Sequence, residues 1–412
     1  MNPVNRLFQK MMPKTSGFEQ KAPDLEQKKS AVGHLLNGAE TLWMGFGAPR
    51  WSSRNYESLA KEGYRKNVIA HRSVRLLSES AASVPLCLYR GDQQVKHHAL
   101  LDLLERPNPL QGRTSFFETA FAYLNIAGNS YLEKVDGPDG RPAELYCLRP
   151  DRMKIIAGGS GWAKAYAYGV RGQEHYFPVD GLSGESAILH LKTFHPSDDH
   201  YGLSPLEAAA YGVDVHNAAS SWNKALLDNS ARPSGALVFE PREGNSSLTS
   251  EQFSHLKQEM EENFQGAKNA RRPLLLEGGL KWQQMAFSPA DMDFINAKNV
   301  AAREIALAFG VPPMLLSIPG DNTYSNYQEA NRALWRTTIL PMMDKMISSL
   351  NFWLLPHYGD DLRLGYDLDK IPALSADRQA LWQRVRESDF MTLNEKRLAV
   401  GLGAVDGGDH FS

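Results

Sequence analysis

The chain has 412 residues and a formal net charge of −2, with 42% apolar and 22% charged residues. That balance belongs to a folded globular protein of roughly two to four domains. No apolar run approaches the ~18 residues that a membrane span needs, so no membrane partner is expected. The near-neutral charge argues against tight non-specific DNA binding, which requires many phosphate-neutralising Lys and Arg.

Residues 1–60 mix Gly, Ser, Pro and charge with weak periodicity and read as a partly disordered arm. Within it, Leu7-Phe8 and Met11-Met12 between basic residues have the pattern of a short amphipathic helix. Arg6, Lys10 and Lys14 are not followed by a continuous apolar stretch, so no secretory signal is expected. From Tyr64 a helix is predicted with Ile69, Ser73, Leu76, Leu77, Ser80 and Val84 on one face. Val84–Arg90 reads as a strand stopped at Gly91-Asp92, and His98–Glu105 as a short helix stopped by Pro107-Asn108-Pro109. Ser115 and Glu118 have capping-box spacing, ahead of an apolar stripe at Phe117, Phe121 and Leu124. Strands are predicted at 130–135, 144–148, 153–156, 165–170 and 187–194, with turn chemistry at Gly137-Pro138-Asp139-Gly140. The fold class expected is α+β, with a mostly antiparallel sheet.

At Ser204-Pro205-Leu206-Glu207 an N-cap, a proline at N1 and a Glu at N3 open a long helix. Tyr211, Val215, Ala219, Trp222 and Leu226 share one stripe of it, and small residues crowd the remainder. The pattern ends near Ser230-Ala231-Arg232-Pro233. A small α/β insert is predicted next: a strand at 235–240, then a helix opened by Thr249 and Gln252 and carrying Phe253, Leu256, Met260 and Phe264. Strands at 274–277 and 280–285 then follow around Gly278-Gly279. A second long helix opens at Ser288-Pro289, with Met292, Ile295, Ala302, Ile305 and Phe309 on one face and Asp293 and Glu304 opposite. Gly310-Val311-Pro312-Pro313 stops it, and a polar loop runs to Asn326. Trp335, Ile339, Met342, Met346 and Trp353 mark a further long helix. In it, Pro341 removes the bond to the Thr337 carbonyl and predicts a kink. Two short helices close the pattern, at 376–387 behind Ser375 and at 392–401.

Little of this chain points to catalysis. Cys87 and Cys147 are too few for a disulfide framework and read as buried free thiols in a reducing compartment. His190, His195, Asp198, Asp199 and His200 are the metal candidate. Their spacing fits no defined site, and Pro196-Ser197-Asp198-Asp199 reads as a turn. A metal-dependent hydrolase on these residues is the enzymatic alternative. His97-His98 reads as polar dressing at a helix start. Asp291/Asp293 lies in a first helical turn, where negative charge suits the dipole. Gly158-Gly159-Ser160-Gly161 has no lysine-bearing helix start behind it, which argues against a phosphate loop. Lys268, Arg271 and Arg272 form a compact basic patch in the insert, either a solvated turn or a contact for a partner.

Several ordered motifs carry a resemblance. They are the segment 98–109, Gly128-Asn129-Ser130-Tyr131, Tyr201-Gly202-Leu203-Ser204-Pro205-Leu206 and Asn229-Ser230-Ala231-Arg232-Pro233-Ser234-Gly235. Leu276-Glu277-Gly278-Gly279-Leu280, Phe309-Gly310-Val311-Pro312-Pro313, and Tyr324-Ser325-Asn326-Tyr327 leading to Leu340-Pro341 complete the set. Between Asn67 and Gly401 the chain resembles the portal proteins of tailed bacteriophages, siphophage-type head-tail connectors with prophage and gene-transfer-agent relatives. The resemblance implies a non-enzymatic ring, usually of twelve subunits, at one capsid vertex of a virion, assembled in the host cytoplasm. Double-stranded DNA is packaged and ejected through its channel.

The resemblance also divides the chain. The wing is expected at 61–202 plus 313–371, the stem helices at 203–234 and 288–312, the clip at 235–287, and a short crown with the C-terminal tail at 372–412. The wing's second part, 313–371, holds the tunnel loop and the long kinked helix. Channel contacts are expected from Ser317, Asp321, Asn322, Thr323, Tyr324, Ser325 and Asn326, and partner contacts on the clip from Lys268, Arg271 and Arg272. Implied partners are further copies of the chain, the large terminase, the major capsid protein or scaffold, and head-tail adaptor proteins. No cofactor or metal is expected. A ring-forming scaffold outside viruses is the remaining alternative.

Overall fold

The computed structural model describes residues 55–410, apart from 92, 160, 229–234, 240–250, 252–253, 256–257, 259–279, 285–293, 321–323 and 360. Helical structure begins inside the stretch expected as an arm, with α1 (Tyr56–Ser58) running into a π-helical turn at Leu59–Arg65. Leu59 is already buried in the main core. Leu7-Phe8 and Met11-Met12 lie outside the described residues.

The helix α2 (Val68–Ser83) is capped by Asn67, whose Oδ1 accepts from the Ile69 and Ala70 amides at 3.1 and 3.0 Å. Its buried face is Ala70, Ser73, Val74, Leu77 and Ala81. The expected face is turned by about a residue, so Ile69, Leu76 and Ser80 are only partly covered. Small residues set this orientation, because alanine allows a neighbouring helix to come closest.

The strand β1 (Leu86–Arg90) is followed by β2 (Gln93–Val95), α3 (Ala99–Glu105) and α4 (Arg113–Ala127). The expected capping box at Ser115 and Glu118 does not form. The helix starts earlier, with Gly112 at its N-cap and no side-chain cap, and the Ser115 carbonyl accepts from Thr119 Oγ1. Arg113 takes over the start by donating to the Ala82 and Val84 carbonyls at 3.1 and 2.8 Å, which ties α4 to the end of α2. Phe117, Phe121 and Leu124 are buried as expected, with Phe116 beside them.

In place of one sheet there are several small antiparallel ones. The strands β3 (Asn129–Asp136), β4 (Pro142–Leu148) and β8 (Ile188–Lys192) pair in the order β4-β3-β8. Next to them, β5 (Met153–Ala157), β6 (Ala163–Val170) and β7 (Gln173–Pro178) pair in sequence order. The strand β7 is almost wholly exposed and polar, so it carries little of the alternation that marks a strand.

The next helix runs as α5 (Pro205–Ala208) and α6 (Ala210–Asp228). The Ser204 hydroxyl accepts from the Leu206 and Glu207 amides, so this cap is as expected. In the insert, β9 (Gly235–Phe239) pairs antiparallel with β10 (Leu280–Gln284). Glu251, Ser254, His255 and Gln258 are helical, whereas the strand expected at 274–277 and the cap at Ser288 lie outside the described residues.

The second long helix is α7 (Phe294–Ala308). Beyond a 3-10 turn at Pro313–Leu316, the chain forms α8 (Tyr324–Leu334), a π-helical turn at Trp335–Ile339, and α9 (Leu340–Leu354). The wide turn answers Pro341. The proline has no N–H for the Thr337 carbonyl, and one extra residue per turn re-registers the ladder just before it, with Leu340 N bonding Trp335 O. The strand β11 (Leu362–Tyr366), invisible in the sequence pattern, then pairs with β1. The chain closes with α10 (Ser375–Arg386) and α11 (Leu393–Ala399). Ser375 is the first helical residue of α10, with Leu374 in the cap position expected for it. One continuous core joins α2, α4, the turn at Trp335–Ile339 and α9, and reaches Val213 of α6 and Ile305 of α7.

Gly128 and Gly140 share a positive φ, +70° and +74°, but a Cβ on Gly128 would sit 2.4 Å from the Gly202 oxygen, whereas one on Gly140 meets nothing within 4 Å. Gly140→Ala should cost about 1 kcal/mol and Gly128→Ala about 3 kcal/mol or more, read by urea or thermal denaturation. Equal losses would mean that the crossing at Gly202 relaxes freely.

Candidate functional site

The histidine and aspartate candidates at 190–200 do not come together as ligands, and no metal-ligating group of three or more is present among the described residues. His190 points away from the turn, stacked on Tyr131 with ring centroids 4.4 Å apart. Its Nε2 donates to Asn129 Oδ1 at 3.0 Å. Burial holds its pKa far below the usual value, at about 3, so the ring is neutral. His195 Nδ1 accepts from the Ser197 amide, and Asp198 Oδ1 accepts from the His200 and Tyr201 amides at 2.7 and 2.9 Å. These bonds draw the Asp198 carboxyl below its ordinary pKa. The segment is a self-closing surface turn. His98 likewise caps α3, its Nδ1 accepting from the Leu100 amide at 3.1 Å. Cys87 is buried and Cys147 partly buried, both as free thiols that burial makes harder to ionise.

Two polar junctions aim the helix pair α6/α7. In the first, the backbones at Gly128 and Gly202 cross so closely that neither tolerates a Cβ. Asn129 spans the crossing: its Oδ1 accepts from the Gly202 amide at 2.8 Å, and its Nδ2 donates to the Ala127 carbonyl at 2.8 Å. Thr193 Oγ1 bonds the Leu203 carbonyl at 2.6 Å, and the buried Ser204 hydroxyl reaches the Ile126 carbonyl at 2.8 Å. Two of the sequence motifs, 128–131 and 201–206, therefore meet in space. The second junction is buried Asn67, whose Nδ2 donates to His216 Nδ1 at 3.2 Å and to Asn217 Oδ1 at 3.0 Å. Asn217 in turn donates to the Glu62 carbonyl at 2.9 Å. Burial lowers the His216 pKa, which suits its role as acceptor.

The two helices pack tightly on each other. A Cβ on Gly212 would lie 3.3 Å from both Ala301 O and Ile305 Cγ1. Ala301, Ala302, Ile305 and Phe309 are buried. Much apolar surface nevertheless stays outward. Val215, Tyr211 and Trp222 are exposed on α6, and Ile295, Val300 and Leu307 on α7, Ile295 at 74% and Leu307 at 78%. The predicted face of α7 therefore splits, and the predicted stripe of α6 keeps only Ala219 inside. The side chain of Leu226 lies outside the described set.

Below α7 the chain is closed twice. The amides of Gly310 and Val311 bond the Leu307 and Ala306 carbonyls, both at 2.9 Å, with Gly310 at φ +64°. This double closure ends the helix, as the sequence pattern predicts. Thr338 Oγ1 donates to the Gly310 carbonyl at 2.8 Å. A second closure follows, with Ser317 N to Met314 O and Ile318 N to Pro313 O, both at 3.2 Å. Ser317 adopts φ +57°, rare for a residue with a side chain. Ile318 is buried against Ala302 and Ala306.

Of the expected loop residues, Ser317 sits at this root. Asp321, Asn322 and Thr323 lie outside the described residues. Tyr324, Ser325 and Asn326 belong to the first turn of α8 instead of the loop. Lys268, Arg271 and Arg272 also lie outside the described residues. Sequence reasoning missed Asn67, Asn129 and His216. Their partners are distant in the chain, and only the Asn at each element start gives a local signal, that of an N-cap for Asn67.

A helix pair with outward apolar faces, anchored on an α+β body, is suited to burying those faces against another chain. The phage portal protein family model matches residues 69–401. The portal protein of Enterobacteria phage HK97 is 26% identical over 352 residues, covering 82% of this chain and 79% of its own. A chain of the neck of an empty GTA (gene transfer agent) particle, computed with C6 symmetry, superposes with a TM-score of 0.69 at 48% identity, covering 89% of this chain and 98% of that one. A chain of the neck of a native particle, computed with C12 symmetry, gives 0.66 at 49% identity, covering 88% and 97%. The chain belongs to the phage portal protein family, whose members are structural proteins and not enzymes.

His190 titrates near 3 in the folded protein and near 6.5 unfolded. The folded pKa is depressed for a basic group, so the contribution is full above pH 6.5 and is lost as pH falls toward 3. Stability should fall by about 1.4 kcal/mol per pH unit from this group across that window. His190→Phe keeps a stacked ring and should flatten the slope in urea melts between pH 6.5 and 4.5. An unchanged slope would refute the neutral, buried state.

Proposed function

We propose that this chain forms a closed ring, with twelve copies the preferred number, at one vertex of a phage-type or gene-transfer-agent capsid. Double-stranded DNA enters and leaves through its centre. In this reading, 61–202 and 313–371 form the wing, 203–234 and 288–312 the stem, 235–287 the clip, and 372–412 the crown with the C-terminal tail. The clip, with Lys268, Arg271 and Arg272, meets the large terminase and later the head-tail adaptors. The wing meets the major capsid protein or scaffold. The loop after α7 together with the first turn of α8, 316–326, lines the channel, where Asn322, Thr323, Ser325 and Asn326 touch phosphates without a net positive charge that would hold them.

The observation that carries the reading is the outward apolar surface of α6 and α7. Val215, Ile295, Val300 and Leu307 are exposed on helices whose inner faces are already filled. Each such side chain gains about 1.5–3 kcal/mol on burial. A head-to-tail contact between copies covers both helices of every subunit, and such a contact closes into a ring when its rotation divides a full turn. The neck structures computed with C6 and C12 symmetry support a symmetric ring of copies. A hydrolase on the histidine segment has no support, since those side chains face apart or cap their own turn.

Purified protein should appear in native mass spectrometry at about 550 kDa, twelve times the 45.9 kDa chain, with ring-shaped images. Leu307→Asp places a charge in the subunit contact and should shift the mass to the monomer. Retention of the full ring by this variant would remove α7 from the interface. Separately, deleting Asp321–Ser325 should leave the ring intact and reduce packaged DNA at least tenfold in particles. Normal packaged-DNA yield would withdraw the loop's role.

A further inference from the structure

We infer that Arg303 is a latch that fixes the root of the channel loop, 317–320, to α7. This rests on the proposed channel role of the loop and adds a positioning residue to it.

Arg303 lies on α7 beside Ala302, one turn before Ala306. Its Nη2 donates to the Pro319 carbonyl. Gly320 lies flat against the same guanidinium: a Cβ there would fall 2.1 Å from Nη2. Ile318, two residues earlier, is buried on Ala302 and Ala306. The chain leaving α7 is thus fastened back to it at two adjacent points, one apolar and one polar. Between Gly320 and the first residue of α8 stand three residues, 321–323.

The two fasteners differ in kind. Ile318 is sealed in the core beneath the loop, and losing it lowers stability wherever the loop points. Arg303 is exposed and its guanidinium bonds a backbone carbonyl of the loop root, so its removal leaves the core untouched. Ser317 at φ +57° makes the intervening turn costly to hold without such help.

The test uses particles assembled with the full-length chain, and compares wild type, Arg303→Ala, Gly320→Ala and the Asp321–Ser325 deletion. Ring mass and melting temperature of each purified variant are measured alongside packaged DNA per particle. Arg303→Ala should keep the ring and melt within a few degrees of wild type, yet package at least fivefold less DNA. Gly320→Ala keeps the charge but forces the guanidinium off the carbonyl, and should show the same loss. If the deletion impairs packaging while Arg303→Ala and Gly320→Ala package normally, the latch is refuted and the loop keeps its role. If Arg303→Ala fails but Gly320→Ala packages normally, the charge matters and the latch is again refuted. If the deletion itself packages normally, the channel reading of the loop falls, independently of Arg303.

Discussion

The crossing of two backbones at Gly128 and Gly202 is the constraint on which the rest of the molecule depends. It joins the end of α4, the first residue of β3, the end of β8 and the start of α5 at one buried point. The glycines are needed because a Cβ on either would overlap the other strand's backbone. Close approach would strand polar groups away from water, and Asn129, Thr193 and Ser204 satisfy them one by one. The junction fixes the direction in which α6 leaves the sheet. The Asn67–His216–Asn217 network fixes it again two turns further on, so the helix has no soft joint at its base.

That rigidity matters for a subunit whose apolar surface faces outward. A helix pair that could swing would cover Val215, Val300 and Leu307 against its own body. Held at two polar anchors, it keeps them facing outward. Buried polar networks of this kind favour one geometry over near alternatives when every member is paired, and the members here are paired. The same logic recurs at the far end of α7, where two successive helix closures and a threonine bond from the π-helical turn leave the chain a single path.

Charge plays a small part in holding these elements together. The net charge is −2, and the arginines of the long helix are committed to neighbours. Arg332 and Arg336 both meet Asp377 of α10, and Arg378 holds Asp369. These exposed pairs each add little to stability. They do commit these cations to neighbouring carboxylates.

The sequence alone determined the local events. Ser204-Pro205, the stop at Gly310-Val311-Pro312-Pro313, the Phe117–Leu124 stripe and the motif order needed nothing beyond neighbours in the chain, because caps, prolines and helical periodicity act over a few residues. The tertiary structure decided the rest. Ser115 lost its cap to an arginine bonded to the end of another helix. Pro341 announced a break in the helical ladder, but only the packed structure shows it as a π-helical turn that buries both Trp335 and Ile339. The histidines around His190 parted because Tyr131 and Asn129, some sixty residues earlier, offered one of them a better partner. Strand β11 exists only because β1 was there to pair with it. Each of these outcomes turns on a contact between residues far apart in sequence, and a pattern read within one window carries no record of such a partner.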